Sequence, residues 1–247
     1  MTTPEDTLAR LKALAVVPVI VLDDPDDAPT LARALSDGGL PLAEVTLRTA
    51  AGLEAIAQLA RSDDLLVGAG TVLNPAQVDA AVAAGARFIV SPGLSAAVVE
   101  RCRQHRVLAL PGAVTATEVM AGLELGLTAL KFFPAAASGG VAAIRALAGP
   151  FPDLALVPTG GVTLENLAAY LALPQVAAVG GSWMVPRPLL RARARDQLQA
   201  LVQEAVAAAR QARPNAARHA PEVEPFTTEA ETLDFVDRQA RRLLDPP

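Results

Sequence analysis

The sequence predicts an α/β protein that folds as a (β/α)8 barrel (a TIM barrel), with a helix before the barrel and an extension after it. Three observations lead to this class. Eight short β-rich runs alternate with Ala- and Leu-rich helical patterns, which is typical of parallel sheets built from right-handed βαβ units. The eight units occupy about 200 residues, which fits a small barrel. Polar residues and glycines collect where the runs end, and barrels of this class carry their chemistry there.

The elements follow in regular order along the chain. The predicted strands are Val16–Leu22, Ala43–Leu47, Leu65–Ala69, Arg87–Val90, Val107–Leu110, Thr128–Phe133, Leu154–Pro158 and Val176–Val179. The helical patterns between them include Pro29–Ser36, Leu53–Arg61, Pro75–Ala84, Ala96–His105 and Thr117–Leu125. Asn74 is a good helix cap before Pro75, and Gly85 and Gly126 follow helices where a left-handed residue is favoured. An open doubly wound sheet is the alternative, but no Gly-x-Gly-x-x-Gly turn follows the first strand.

Both ends of the chain extend this pattern. The N-terminal stretch that carries Lys12 is amphipathic and is predicted to be a helix. The last barrel helix is predicted over about Pro188–Arg210, so the barrel domain comprises residues 1–210. Residues 211–247 are predicted to form a Pro-spaced linker and a short amphipathic helix, because Thr228-Glu-Ala-Glu231 resembles a capping box. The sequence assigns no function to this extension.

Composition argues against several classes of function. The net charge is −5 and no basic stripe is present, which argues against a nucleic-acid partner. The single cysteine, Cys102, excludes an intramolecular disulfide and suits a reducing compartment. No apolar stretch approaches the ~20 residues of a membrane span, and the acidic N-terminus is unlike a signal peptide, so we expect a cytoplasmic protein without a membrane partner. The two histidines, His105 and His219, lie away from strand ends, so a zinc or iron site is not expected, whereas magnesium held by carboxylates stays open.

Lys131 is unusual because the chain has only two lysines and 19 arginines. It lies in the apolar run Thr128–Pro134, which is predicted to be a buried strand. A buried lone cation is costly unless it is paired or deprotonated. Arginine keeps its charge, whereas a buried lysine can become a neutral nucleophile, so the position suggests amine chemistry. The alternative is a lysine that reaches solvent from a strand end or pairs with a carboxylate.

Strand periodicity predicts which side chains share the barrel interior with this lysine. On the second strand, Glu44, Thr46 and Arg48 lie on one face and apolar residues occupy the other. Since the apolar face should pack against helices, the polar face points into the barrel mouth. The same argument directs Lys131 and Phe133 of the sixth strand inward. Glu44, Arg48 and Lys131 then converge, either as an active site or as a structural ion pair.

Two glycine pairs predict a place for an anion. Thr159-Gly-Gly161 ends the seventh strand and Gly180-Gly-Ser182 ends the eighth. Glycine lets the backbone approach a ligand closely, its N–H groups can converge on phosphate oxygens, and Ser182 adds a hydroxyl. Phosphate sites after strands seven and eight recur in this fold. Thr71 offers another hydroxyl at the end of the third strand, whereas Asp23-Asp24 is interpreted as a solvated loop and helix cap.

Taken together, these motifs resemble the class I 2-keto-3-deoxy-6-phosphogluconate (KDPG) aldolases, many of which also cleave 4-hydroxy-2-oxoglutarate. The matching segments are Val16-Val-Pro-Val-Ile20, Glu44-Val-Thr-Leu-Arg-Thr49, Gly68-Ala-Gly-Thr-Val-Leu-Asn74, Ser91-Pro-Gly-Leu94, Lys131-Phe-Phe-Pro-Ala135, Pro158-Thr-Gly-Gly161 and Gly180-Gly-Ser-Trp183. They cover roughly residues 5–210 in the family's order and spacing. The Arg-rich stretch Arg187–Arg195 and residues 211–247 depart from the family pattern.

The resemblance implies roles for individual residues. Lys131 would form the Schiff base and Glu44 would be the general acid and base. The remaining implied positions are Arg48 and Thr71 for the substrate carboxylate, Pro92, Phe133 and Thr159 for the pocket, and Gly160, Gly161, Gly180, Gly181 and Ser182 for the phosphate.

The implied enzyme is a homotrimer of the Entner–Doudoroff pathway that needs neither metal nor cofactor. It would cleave KDPG to pyruvate and glyceraldehyde 3-phosphate, and also 4-hydroxy-2-oxoglutarate to pyruvate and glyoxylate. The alternatives are an aldolase for the epimeric KDP-galactonate and a non-catalytic barrel that binds phosphosugars.

Overall fold

The computed structural model describes residues 3–216, in which eight strands alternate with helices. The strands are β1 (Val16–Ile20), β2 (Leu42–Thr46), β3 (Leu66–Gly70), β4 (Phe88–Ser91), β5 (Leu108–Pro111), β6 (Ala129–Phe132), β7 (Ala155–Pro158) and β8 (Val179–Gly181). The helices are α1 (Pro4–Leu14), α2 (Ala28–Asp37), α3 (Gly52–Leu59), α4 (Pro75–Ala83), α5 (Ala96–His105), α6 (Ala116–Glu124), α7 (Gly140–Ala148), α8 (Leu167–Leu171), α9 (Arg187–Arg191) and α10 (Arg195–Ala216).

The eight strands run parallel and close into a barrel. Ladders of hydrogen bonds join β1 to both β2 and β8, continue from β2 through β3 and β4 to β5, and join β6 to β7. Single bridges complete the ring, between Gly112 and Lys131 on one side and between Thr159 and Gly180 on the other. Closure brings the carboxyl ends of all strands to one end of the barrel, and the predicted (β/α)8 class is confirmed.

The core has an inner layer inside the barrel and an outer layer between strands and helices. Leu42 and Ala129 belong to the inner layer, whereas Val45 and Leu130 belong to the outer one. Because strand side chains alternate, the polar residues two positions after Leu42 and Ala129 also face the interior. The predicted inward faces of the second and sixth strands are therefore confirmed.

Helix α1 closes the amino-terminal end of the barrel. Leu11 is fully buried in the inner layer, and Leu8 and Leu14 pack against the same cluster. The helix begins with a capping box, in which the Thr3 hydroxyl accepts from the Asp6 backbone N–H and the Asp6 carboxylate accepts from the Thr3 N–H, both at 3.1 Å. The helix predicted before the barrel is confirmed, and it leaves only the opposite end of the barrel open for a site.

The eighth strand begins later than predicted. The expected strand was Val176–Val179, whereas β8 is Val179–Gly181 and Val176 makes only an isolated bridge to β7. Ala177 and Ala178 are consecutive, yet both contact the barrel interior, which a regular strand does not allow. Because the backbone is irregular there, the hydrogen-bonded ladder of β8 begins later along the chain than predicted. The glycine pair therefore lies within the strand. The other strand bounds agree with prediction to within two residues.

The chain after β8 forms two helices where one was predicted over Pro188–Arg210. They are separated by a turn in which Arg193 adopts a left-handed backbone with φ of 50°. Helix α10 then continues to Ala216, past the expected end of the barrel domain at residue 210. The helix predicted after Thr228 lies outside the described residues, and the separate C-terminal segment stays a prediction.

Across residues 3–216, no helix has both the length and the apolar character that crossing a membrane requires.

Candidate active site

A buried lysine and a buried glutamate meet inside the barrel. Lys131 on β6 and Glu44 on β2 are only 7% and 3% exposed, and the Lys131 Nζ donates to Glu44 Oε1 at 3.1 Å. The two residues are 87 positions apart in sequence, so the barrel alone brings them together. Burying both charges costs several kcal/mol per ion before their attraction offsets it. The contact places a carboxylate where it can exchange a proton with the amine.

The space that Glu44 occupies depends on a glycine in the neighbouring strand. A Cβ added to Gly70 would lie 2.4 Å from Glu44 Oε1 and 2.9 Å from its Cγ. No side chain can therefore replace the hydrogen of Gly70 unless the carboxylate moves. Gly70 was not predicted as a site residue, because a glycine at a strand end also fits an ordinary turn.

The Lys131 amine also lies over an aromatic ring. The Nζ atom is 5.3 Å from the centroid of Phe133, a distance at which a cation is attracted to the ring face. The ring is half-buried and extends toward Gly160, where an added Cβ would lie 3.3 Å from two ring carbons. Phe133 thus contacts both the lysine and the glycine segment after β7, and its role as a pocket wall stays a prediction.

The end of β2 is held to β1 by threonine hydroxyls. Thr46 donates to the carbonyl of Ile20 at 2.9 Å, and Thr49 donates to the carbonyl of Leu22. Arg48 lies between them, and its Nε is 3.4 Å from the Thr46 hydroxyl. No carboxylate of the described residues lies within 4.0 Å of the Arg48 guanidinium, which leaves its donors for a ligand.

Thr71 and Pro92 follow the next two strands at the same end of the barrel. Thr71 comes directly after β3 and has φ of 59°, a left-handed conformation that is strained for a threonine. Pro92 follows β4 and is exposed, and Gly112 of the next loop could not carry a side chain because a Cβ would lie 2.1 Å from the Pro92 carbonyl oxygen. Strained and closely packed loops of this kind are common at functional sites.

The glycine segments after β7 and within β8 are packed too closely for side chains. A Cβ on Gly180 would lie 2.3 Å from the Thr159 hydroxyl, and one on Gly181 would lie 1.8 Å from the Trp183 ring. Gly160 and Gly161 have φ of 94° and 77°, so they expose backbone in a conformation that other residues rarely adopt. These segments therefore present backbone where other residues would carry side chains, and their binding of phosphate stays a prediction.

A cavity of about 520 Å³ opens at Ser182, the residue after the β8 glycine pair, although neither the glycines nor Lys131 are among its lining residues. Its wall includes Arg48 and Ser182 from the predicted site, together with Arg187, which was not among the predicted site residues. Arg187 and Arg191 both donate to Asp23, the latter from Nε at 2.9 Å. Asp23 is an exposed residue of the loop after β1, as interpreted from the sequence, and it also forms ion pairs with residues more than 160 positions away, which were not predicted.

The neighbouring acidic residues take part in the same loop contacts. Asp24 caps the short 3-10 turn at Pro25–Asp27, since its side chain accepts from the Asp26 N–H at 3.0 Å, and the predicted capping role is confirmed. Arg193 donates from Nε to Asp27 at 2.7 Å and is 3.5 Å from Asp24. The β1–α2 loop is thus tied to α9 and the turn after it.

The remaining reactive side chains of the described region lie away from this end of the barrel. Cys102 is fully buried on α5, and burial raises the pKa of its thiol to about 12, so it is unreactive at neutral pH. His105 contacts Asp79, and His219 lies outside the described residues. Within residues 3–216, His, Cys, Asp and Glu side chains form no group of three that could hold a metal ion.

Comparisons with known proteins agree with the motifs. The family model "Aldolase: KDPG and KHG aldolase" matches residues 8–201, where KHG stands for 2-keto-4-hydroxyglutarate, that is, 4-hydroxy-2-oxoglutarate. The 2-dehydro-3-deoxy-phosphogluconate aldolase of Dickeya dadantii (strain 3937) is 46% identical over 200 residues, which cover 81% of this chain and 94% of the relative.

Two solved structures share the fold and much of the sequence. The KDPG aldolase of Legionella pneumophila, with pyruvate captured at low pH as a covalent carbinolamine intermediate, has a TM-score of 0.78 at 41% identity and covers 82% of this chain and 97% of its own. The 2-keto-3-deoxy-6-phosphogluconate aldolase of Zymomonas mobilis ZM4 with 3-phosphoglycerate has a TM-score of 0.77 at 41% identity, covering 82% and 96%.

Proposed function

Because the chain belongs to the KDPG and KHG aldolase family, we propose that Lys131 and Glu44 are the catalytic pair of a class I aldolase. The enzyme cleaves KDPG to pyruvate and glyceraldehyde 3-phosphate, and 4-hydroxy-2-oxoglutarate to pyruvate and glyoxylate. The observation that carries the assignment is the buried 3.1 Å contact between the Lys131 Nζ and the Glu44 Oε1. It joins a nucleophile to a proton carrier at the open end of the barrel.

The first half of the reaction forms the imine. Glu44 takes a proton from the Lys131 ammonium, and the neutral amine attacks the C2 carbonyl carbon to give a carbinolamine. Glu44 then returns the proton to the C2 hydroxyl, which leaves as water, and a protonated imine remains. The 3.1 Å contact lets one carboxylate perform both transfers without a second base.

The second half breaks the carbon–carbon bond. Glu44, directly or through water, removes the proton of the C4 hydroxyl, the C3–C4 bond breaks, and its electron pair moves to the imine nitrogen to give an enamine. Glyceraldehyde 3-phosphate leaves. Protonation at C3 and hydrolysis of the imine then release pyruvate and restore Lys131.

The other predicted residues bind the two anionic ends of the substrate. No carboxylate of the described residues lies within 4.0 Å of the Arg48 guanidinium, and such a group can hold the substrate carboxylate by two parallel hydrogen bonds, with the Thr71 hydroxyl as a further donor. Pro92 and Phe133 shape the pocket. The phosphate occupies the backbone cradle near Thr159, which is formed by Gly160, Gly161, Gly180, Gly181 and Ser182.

A purely structural ion pair is the competing explanation for Lys131 and Glu44. Replacement of a buried ion pair by apolar residues is often neutral for stability, so stability alone gives little reason for such a pair. Here Gly70 leaves room for the carboxylate, and the pair lies at the end of the barrel that α1 leaves open. Both features favour chemistry over a structural role.

We further propose a cytoplasmic homotrimer, as the family resemblance implies. The exposed large hydrophobic side chains of the described region are candidates for that interface: Leu53, Leu73, Met120 and Leu123. Sedimentation or light scattering should give three times the chain mass of 25.4 kDa. A mass of one chain at micromolar concentration would contradict the trimer.

Steady-state cleavage of three substrates tests the activity. We expect pyruvate release from KDPG with a higher kcat/KM than from KDP-galactonate, and slower release from 4-hydroxy-2-oxoglutarate. Equal efficiency with the unphosphorylated substrate would argue against the phosphate cradle, and a preference for KDP-galactonate would reassign the substrate. If no substrate yields pyruvate, the barrel is a binding protein and the aldolase assignment is wrong.

A further inference from the structure

Arg187 stands in the wall of the cavity that contains Arg48 and Ser182. It is the first residue of α9, five positions after Ser182, and its side chain is about half exposed at 48%. It lies in the Arg-rich stretch that departs from the family motifs. A second cation in this wall changes the charge that a ligand meets there.

Asp23 holds the Arg187 side chain without using all its donors. The carboxylate accepts from Arg187 Nη2 and from Arg191 Nε, so one negative charge is shared by two guanidinium groups. These two arginines lower the pKa of Asp23, which therefore stays ionised at neutral pH. A guanidinium has five N–H donors, and the structure assigns Arg187 one acceptor among the described residues.

The cavity wall carries two cationic side chains, Arg48 and Arg187, and no carboxylate among its lining residues. Arg193 pairs with Asp24 and Asp27, a group with one excess negative charge whose members do not line the cavity. Arg187, Arg191 and Asp23 together carry one positive charge, and Arg48 adds another. The KDPG molecule carries a carboxylate at one end and a phosphate at the other, and two separated cations suit two separated anions.

We propose that Arg187 binds the phosphate of the substrate, with Asp23 as the residue that positions it. Ser182 supplies a hydroxyl in the same wall, and the glycine backbone supplies N–H groups, so Arg187 adds the charge that a neutral cradle lacks. The inference rests on the proposed aldolase function and deepens it. It predicts that Arg187 makes the enzyme favour phosphorylated over unphosphorylated keto acids.

The kinetic test compares Arg187→Ala with Arg191→Ala. Both remove one arginine of α9 that pairs with Asp23, but Arg191 is not among the residues that line the cavity. We expect Arg187→Ala to raise KM for KDPG by about tenfold, the value of one charge-assisted hydrogen bond, with kcat nearly unchanged. Its kcat/KM for 4-hydroxy-2-oxoglutarate should change less than about twofold, and Arg191→Ala should leave both substrates near wild type.

The positioning role of Asp23 has a separate readout. Asp23→Asn should raise KM for KDPG less than Arg187→Ala does, and kcat should not fall. A fall in kcat for both substrates would show that Asp23 serves the structure of the loop instead.

Binding of inorganic phosphate separates this inference from the catalytic one. Millimolar phosphate should raise the Tm of the wild-type protein and of Arg191→Ala, since a ligand that binds the folded state stabilises it, and Arg187→Ala should lose most of that rise. This readout needs no turnover, so it holds even if no aldolase activity is found. Equal phosphate stabilisation in Arg187→Ala and wild type, or equal KM changes for both substrates, would overturn the proposal.

Discussion

At the scale of single residues, the site depends on a carboxylate and an amine that are both out of water. Glu44 and Lys131 face the barrel interior because they occupy the polar face of β2 and the inward face of β6. Their contact was predictable from strand periodicity, since period two fixes which side chains point inward. Periodicity could not predict the distance between the Glu44 and Lys131 side chains. That distance depends on Gly70 having no side chain and on closure of the barrel.

The role of Gly70 can be tested by adding one methyl group. Because its Cβ would lie 2.4 Å from Glu44 Oε1, Gly70→Ala should displace the carboxylate from Lys131. Misplacement of a catalytic group by about 1 Å costs on the order of 10²-fold in rate, so kcat should fall by about that factor. Gly149→Ala is the control, since the nearest atom to its Cβ would be 3.7 Å away. Equal activity of the two variants would show that Glu44 tolerates displacement.

Glu44→Gln keeps the size of the side chain and removes its ability to carry a proton. We expect kcat for KDPG to fall by about 10²–10⁴-fold, which is the usual contribution of a positioned acid or base. The matched variant Glu54→Gln alters an exposed carboxylate of α3 and should retain wild-type kcat. Undiminished turnover in Glu44→Gln would assign proton transfer to another group.

At the scale of elements, an acidic residue of α4 holds α5 beside it. Asp79 accepts from Arg101 at 2.6 Å and 2.7 Å in a two-point contact, and from His105 at 2.6 Å. These partners, Arg101 first, lower the pKa of Asp79 from its ordinary value of 3.8 to about 2. The sequence did not predict the contact, because the two partners lie 22 and 26 positions after Asp79, across a strand.

This contact predicts a loss of stability in acid. Because the Asp79 pKa is lower in the folded protein than in the unfolded chain, its stabilisation is present above about pH 4 and is lost as the pH falls toward 2. Asp79→Asn should therefore lower Tm at pH 6 and should differ little from wild type near pH 2. Asp153→Asn, which changes a carboxylate outside the ion pairs of the described residues, should match wild type at both values. If the Tm difference between Asp79→Asn and wild type stayed constant from pH 6 to pH 2, ionisation of Asp79 would not be the source of this stability.

The element pattern itself was largely readable from the sequence. Helix caps such as Asn74, and the alternation of strands and helices, depend on local chemistry that the sequence displays. The late start of β8 was not readable, because Ala177 and Ala178 suit a strand but both pack into the interior. The break before α10 at Arg193 likewise depends on contacts with Asp24 and Asp27, which are remote in sequence.

At the scale of the whole molecule, the barrel is closed below by α1 and open above at the site. The apolar interior of the barrel lies between α1 and the site. A substitution that weakens the packing of α1 should therefore lower the free energy of unfolding more than it lowers the rate of catalysis. The (β/α)8 class was predictable because every βα unit repeats the same sequence pattern, a short β-rich run followed by a helical pattern. The ion pairs of Asp23 with Arg187 and Arg191 were not, since they join the first and last units of the ring.

Leu11→Ala tests the lower closure. Leu11 is fully buried in the inner cluster, and large-to-small changes at such positions cost about 2–5 kcal/mol of unfolding free energy. Urea unfolding should show a loss in that range, whereas KM for KDPG should stay within about twofold because the site is at the other end. Arg33→Ala, at an exposed side chain of α2 that forms no ion pair with the described residues, should cost less than about 0.5 kcal/mol. A similar small cost for both variants would show that α1 does not close the barrel.

The central claim is that Lys131 forms an imine with the keto acid, and reductive trapping tests it most directly. Wild-type protein is incubated with pyruvate and borohydride, and the modified peptide is located by mass spectrometry. The chain has only two lysines, and Lys12 is exposed on α1, so it serves as an internal control. We expect one reduced pyruvate adduct per chain, on Lys131 and not on Lys12. The absence of an adduct, or one on Lys12 in place of Lys131, would contradict the account.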